Sequence, residues 1–149
     1  MADLIVAVRS ILLADSNVAA AVGSKVYTDQ LPQAAIPPSV VIYIDNERAH
    51  DSLEGFQGFD SAEVRIESYG AKRPDADQLG RLVRNALSEF VTDRNAGTIT
   101  GIVDGVFLQS IGQRAGQKQQ TVRIRAGSDR YQWVARRDYQ IGHSTPVEV

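Results

Sequence analysis

Two hydrophobic periods alternate along the chain, and their order outlines a fold. Leu4, Val8, Ile11 and Leu12 recur at helical spacing with Ile5 beside them, while Asp3, Arg9 and Ser10 fall elsewhere on the wheel. This spacing predicts a helix over about Asp3 to Ala14. Ser16 or Asn17 is placed to cap a second, short helix over Val18 to Val22, and Gly23 supplies its stop. "KVYTD" reads as a brief extended piece. "QLPQAAIPPSV" holds Pro32, Pro37 and Pro38, and proline both removes a backbone donor and disfavours helix at the residue before it. It is therefore expected to be a loop feeding a strand. In that strand, "SVVIYIDNER", Val40 to Ile44 form a continuous apolar run, as expected where both faces are covered.

Beyond the polar, glycine-containing "AHDSLEGFQGF", the period of two returns. Ala62, Val64, Ile66 and Ser68 alternate with Glu63, Arg65, Glu67 and Tyr69, which predicts a half-exposed strand. The two strands are expected to pair as a hairpin with a long tip. "RPDADQLGRLVRNALSEFVTD" carries the strongest helical pattern. Pro74 suits the first turn, Asp75 and Asp77 suit the positive helix start, and Leu79, Leu82, Val83, Ala86, Leu87 and Phe90 make one stripe. Gly80 weakens this helix slightly and allows a close approach.

"TITGIVD", "GVFLQSIGQ" and "TVRIRAG" are strand-like, and "RAGQKQQ" between the last two reads as a projecting polar arm. The final strand, "YQWVARRDYQIGH", puts Tyr131, Trp133, Ala135, Arg137, Tyr139 and Ile141 on one face. Gln132, Val134, Arg136, Asp138 and Gln140 take the other. The expected fold class is α+β: an antiparallel or mixed sheet with two main helices packed on one face, and long hairpin loops. A single domain spans 1–149, with 141–149 as its C-terminal tail.

Composition narrows the chemistry. A chain of 149 residues with 43% hydrophobic and 23% charged residues suits one ordinary globular domain. With no cysteine there is no disulfide, no thiolate nucleophile and no cysteine-ligated zinc. No apolar run reaches membrane-spanning length, and the start reads as an amphipathic helix rather than a signal peptide. The expectation is a cytosolically made protein without a membrane partner. The phosphate loop, the dinucleotide turn and the serine elbow are all missing. His50 and His143 read as solvated surface histidines. No catalytic, cofactor-binding or metal-binding residue is expected.

Charge is unevenly placed. From Asp45 to Glu67, seven carboxylates stand against Arg48 and Arg65. From Ile111 to Gln140, Arg114, Lys118, Arg123, Arg125, Arg130, Arg136 and Arg137 stand against Asp129 and Asp138. The acidic segment reads as a solvated face; paired carboxylates of a metal enzyme, at Glu63 and Glu67, are the alternative. The basic segment suits phosphate contact or one half of a head-to-tail self-contact, besides plain surface charge. Phe56 and Phe59, in a glycine-spaced loop, suit either a partner anchor or a small satellite cluster. The candidate interface residues are Phe56, Phe59, Arg114, Lys118, Arg123, Arg125, Arg136 and Arg137. Arg137 in particular is expected to meet an acidic group from the Asp45 to Glu67 region of an adjacent subunit.

Taken in order, "ADLIVAVRSILLADSNVAAAVGSKVYTDQLPQ", "IPPSVVIYI", "AEVRIESYGAKRPDADQLGRLVRNAL" and "RRDYQIGH" resemble the small tail terminator, or tail completion, proteins of tailed bacteriophages. The resemblance covers nearly the whole chain. It implies a non-enzymatic virion protein, made in the host bacterial cytoplasm, that forms a homo-oligomeric ring, usually a hexamer. The ring would end polymerisation of the tail tube and offer a docking surface to the head–tail connector or stopper. Its implied partners are further copies of itself, the tail tube protein, the connector and DNA passing through the lumen. It implies no cofactor. A head-side neck component and a nucleic-acid-binding module are the alternatives.

Overall fold

Asp3 opens the first helix by accepting a hydrogen bond from the Ile5 backbone N–H, which fixes α1 as Leu4–Ala14. The second helix, α2 (Ser16–Val22), is capped by Asp15 rather than by Ser16 or Asn17. The Asp15 carboxylate accepts from the N–H groups of both Asn17 and Val18 at 3.0 Å, satisfying two donors that a hydroxyl would satisfy one at a time. Gly23 ends α2 with a φ of 62°, a conformation open to glycine at little cost. The computed structural model describes residues 3–32, 35–52, 55–113, 119–125 and 131–144, and side chains within these except at 46–52, 55–59, 109 and 113.

Among the described residues, three helices and seven strands follow in the order α1, α2, β1 (Val26–Thr28), β2 (Ser39–Ser52), β3 (Gly55–Gly70), α3 (Arg73–Asn95), β4 (Ile102–Val103), β5 (Val106–Gln113), β6 (Gln120–Arg125) and β7 (Tyr131–Ser144). This is the expected α+β class. The sheet is mixed because the short edge strand β1 runs parallel to β2, while every other pair is antiparallel. Its spatial order is β1-β2-β3-β7-β5-β4, and β6 pairs with β7.

The register explains where β6 belongs. Residues 107–113 of β5 pair with the C-terminal half of β7, and residues 120–125 of β6 pair with its N-terminal half. Both lie on the same side of β7, end to end. Between them, Arg137 and Asp138 have no ladder partner on that side among the described residues. The polar arm expected from "RAGQKQQ" falls here in the sequence, and residues 114–118 lie outside the described residues.

One face of the sheet carries the main core. The helical stripes of α1 and α3 close over Val40, Ile42, Ala62, Val64, Ile66, Leu108, Tyr139 and Ile141, with Val18 and Val22 of α2 alongside. The apolar run of β2 serves both faces, as its pattern predicted. Val41 is fully buried on the reverse side with Tyr69 and Val134, against Tyr27, Leu31, Tyr43, Val122 and Ile124. That second cluster corrects the half-exposed reading of β3, since Tyr69 and Glu67 are both buried.

Two other expectations change. The stretch read as a long hairpin tip is mostly ladder, with β2 reaching Ser52 and β3 starting at Gly55. It is irregular, with shifts between Ile44 and Asn46 and between Ala49 and Asp51. The last strand runs to Ser144, so Ile141 and His143 lie within it rather than in a tail. His143 is 7% exposed, not a solvated surface histidine.

Candidate interaction surface

Arg136 and Arg137 are adjacent in sequence but face opposite ways, because neighbouring strand residues point to opposite faces. Arg136 lies directly across from Glu67, and its Nε donates to a Glu67 carboxylate oxygen at 2.6 Å. Two residues on, Asp138 lies across from Arg65 and accepts from its Nε at 3.0 Å. Asp45 adds a looser contact to Arg65 at 3.7 Å. The reverse face of the sheet thus carries two cross-strand ion pairs of opposite orientation.

Tyr43 and Tyr69 complete this cluster. The Tyr69 hydroxyl donates to Glu67 at 3.2 Å. Burial first, and the Glu67 charge second, push both phenols above their ordinary range. Glu67 is therefore a buried anion held by a guanidinium and a phenol. Both of its oxygens accept hydrogen bonds, one from Tyr69 and one from Arg136. Among the described residues no cluster of three acidic or histidine side chains could hold a metal ion.

Arg137 points the other way, onto the core face opposite Ile66. Its guanidinium donates to Gln119 Oε1 at 3.0 Å. Gln119 in turn donates to the backbone carbonyl and the carboxylate of Asp77 in α3, and Thr121 donates to the same carboxylate. Gly80 makes room for this bridge, since a Cβ there would collide with the Gln119 amide. So the close approach expected at Gly80 exists, and its partner is Gln119, the residue just before β6. Within the chain, the group meeting Arg137 is an amide rather than a carboxylate.

The remaining candidates divide. Arg123 and Arg125 are exposed on β6, opposite Trp133 and Tyr131. The Arg123 guanidinium stacks 4.6 Å from the Tyr131 ring centre, and Arg73 at the start of α3 lies 5.7 Å from that of Trp133. Tyr131, on the same strand face as Trp133, is 54% exposed and serves as a stacking surface. Phe56 and Phe59 lie on the outer part of β3, and their side chains fall outside the described residues, as do Arg114 and Lys118.

Sequence reasoning missed the Glu67 cluster and the Gln119 bridge. The first had a signal: "RIE" in β3 and "RRD" in β7 place opposite charges at matching parity. Only the register shows that they meet. The second had none beyond Gly80.

The sheet also ends in edges of opposite character. Beyond Ile42, the outer side of β2 has no strand partner among the described residues, and this segment carries Asp45, Glu47 and Asp51 against Arg48. On the far side, β6 pairs among the described residues with β7 alone, and its Arg123 and Arg125 are exposed. No single described helix is long and apolar enough to cross a membrane.

Comparison with known proteins agrees with this architecture. A chain from a structure of the virion of a native gene transfer agent particle superposes with a TM-score of 0.61 at 16% identity, covering 95% of this chain and 94% of that one. That likeness concerns the fold. No curated protein matches the chain. The family model of the tail completion protein gp17 matches residues 6–126, which span α1 to the end of β6. The chain therefore belongs to the tail completion protein gp17 family, structural proteins of the bacteriophage virion tail and neck.

Proposed function

We propose that the protein is a non-enzymatic ring component that caps the tail tube, ends its polymerisation and offers the surface on which the head connector docks. The observation that carries this reading is the pair of open sheet edges of opposite charge. A closed ring of identical subunits joined head to tail needs two different, complementary patches on each copy. The acidic outer edge of β2 and the basic edge of β6 supply such a pair from one chain. Unpaired strand edges also invite pairing with another chain, and opposite charge selects the right one. The family's role in completing the tail is consistent with this assembly.

The structure weakens the nucleic-acid reading. Arg136 is committed to Glu67 and Arg137 is turned towards α3, so Arg123 and Arg125 are the exposed remainder of the described basic segment. Native mass measurement of the purified protein tests the proposal. A discrete ring-sized oligomer that dissociates with salt supports it, and a strict monomer at all concentrations refutes it.

A further inference from the structure

A pocket of about 250 Å³ lies between the middle of α3 and strands β5 and β7, apart from the two charged edges. Leu87, Val91 and Ile111 give it apolar walls, and Arg84, Ser88 and Tyr139 supply its polar groups. Tyr139 is 3% exposed, and its hydroxyl has no hydrogen-bond partner among the described residues. Two residues earlier on the same strand face, Arg137 keeps its Nε buried and without an acceptor, although its other end reaches Gln119.

The charges around this pocket do not balance. Arg65, Arg73 and Arg136 each have a carboxylate within 4 Å, whereas Arg84 and Arg137 have none among the described residues. Burial pushes the Arg137 guanidinium below its ordinary value, and the Arg84 charge pushes it further the same way, against the opposing effect of Tyr139. Buried donors left unsatisfied are costly, and two cations near each other without an anion add repulsion. One carboxylate would answer all of these needs. It accepts from a phenol and from guanidinium N–H groups, and its two oxygens match the guanidinium fork.

We propose that this pocket receives the carboxylate of an acidic side chain from a second copy of the chain. The source is argued from charge: the chain concentrates its carboxylates between Asp45 and Glu67, whereas Arg84 in the pocket lining and Arg137 next to Tyr139 on the same strand face have no carboxylate within 4 Å among the described residues. The inference rests on the ring reading and adds to it a keyed contact separate from the two sheet edges.

Charge reversal tests it. Arg84 is exposed, so Arg84→Glu is expected to fold, with Arg84→Gln as the control for folding. Native mass measurement should show the assembled fraction of Arg84→Glu falling by roughly tenfold or more. Reversing one acid of the 45–67 segment, scanned as Asp45→Lys, Glu47→Lys, Asp51→Lys, Asp60→Lys and Glu63→Lys, should restore it. An Arg84→Glu protein that assembles as well as the native chain overturns this inference while leaving the ring standing. If the native chain never assembles, the ring reading and this inference fail together. In an assembling chain, a saturable shift of the Tyr139 ring resonance with acetate in the dissociated protein, lost in Arg84→Gln, supports the pocket's choice of a carboxylate, and no shift overturns it.

Discussion

Arg136 faces Glu67 across the β7–β3 ladder, its Nε 2.6 Å from a carboxylate oxygen almost shut off from solvent. The pair joins the two ends of the charge imbalance seen in the sequence. Part of the acidic segment is thereby neutralised by part of the basic one inside a single subunit. In the proposed ring, the outer edge of β2 and the exposed face of β6 are the surfaces that meet.

Arg136→Met is expected to destabilise the fold by about 1–3 kcal/mol, because it strands a buried carboxylate. The value sits below that of a fully buried pair because Arg136 is 40% exposed and partly screened by solvent. Replacing both partners, as Glu67→Leu with Arg136→Met, should recover most of the loss. Urea unfolding of the two single variants and the double variant measures this directly.

Gly70 and Gly80 both approach other elements closely, but they should respond differently to alanine. A Cβ on Gly70 would lie 2.5 Å from the Ala76 backbone nitrogen, and neither the end of β3 nor the start of α3 can yield easily. Gly70→Ala should cost about 2 kcal/mol or more, in the range of overpacked cores. A Cβ on Gly80 meets only the end of the Gln119 side chain. Gly80→Ala gains helix propensity of about 1 kcal/mol and loses the amide bridge, for a net change within about 1 kcal/mol. Hydrogen exchange should nevertheless quicken at 119–121. Thermal melts and exchange rates of the two variants separate the cases.

Alkaline pH should unfold the protein through its buried phenols. Burial raises the Tyr139 hydroxyl from 10.0 to about 12, with Arg137 and Arg84 opposing the rise, and Tyr69 moves the same way. The neutral phenol is therefore favoured in the folded state. This contribution is fully present below pH 10 and is lost as pH rises through the raised value. Tyr139→Phe should flatten the fall in stability between pH 10 and 12. At neutral pH the same variant should be as stable as the native chain or up to about 1 kcal/mol more so, because it removes an unpartnered buried hydroxyl. Unfolding midpoints across pH test both statements.

Arg123→Glu together with Arg125→Glu should leave the fold intact and abolish assembly. Both side chains are exposed, and the stacking of Arg123 on Tyr131 is worth about 0.5–1 kcal/mol at such a site. Circular dichroism should be unchanged while native mass reports monomer.

Much of the fold was legible because its signals are local. The stripes of α1 and α3, the turn at Gly23 and the double-sided run of β2 each follow from spacing along a few residues. Long-range pairing was not legible. The parity of β3 marked Glu67 and Tyr69 as exposed, since nothing local records that β7 and a second apolar cluster cover that face. The same gap hid the fate of the basic segment. Seven cations within thirty positions suggest one patch, yet strand alternation sends Arg136 and Arg137 to opposite faces, and Gln119, just before β6, meets the second of them. Asp15 was missed as a cap because the hydroxyl and amide beside it fit the same rule.

Electron micrographs of tails assembled with and without this protein test the central claim most directly. The account predicts tubes of uniform length with added density at one end when it is present, and overlong, uncapped tubes that fail to join heads when it is absent. Tubes of normal length that join heads in its absence would contradict it.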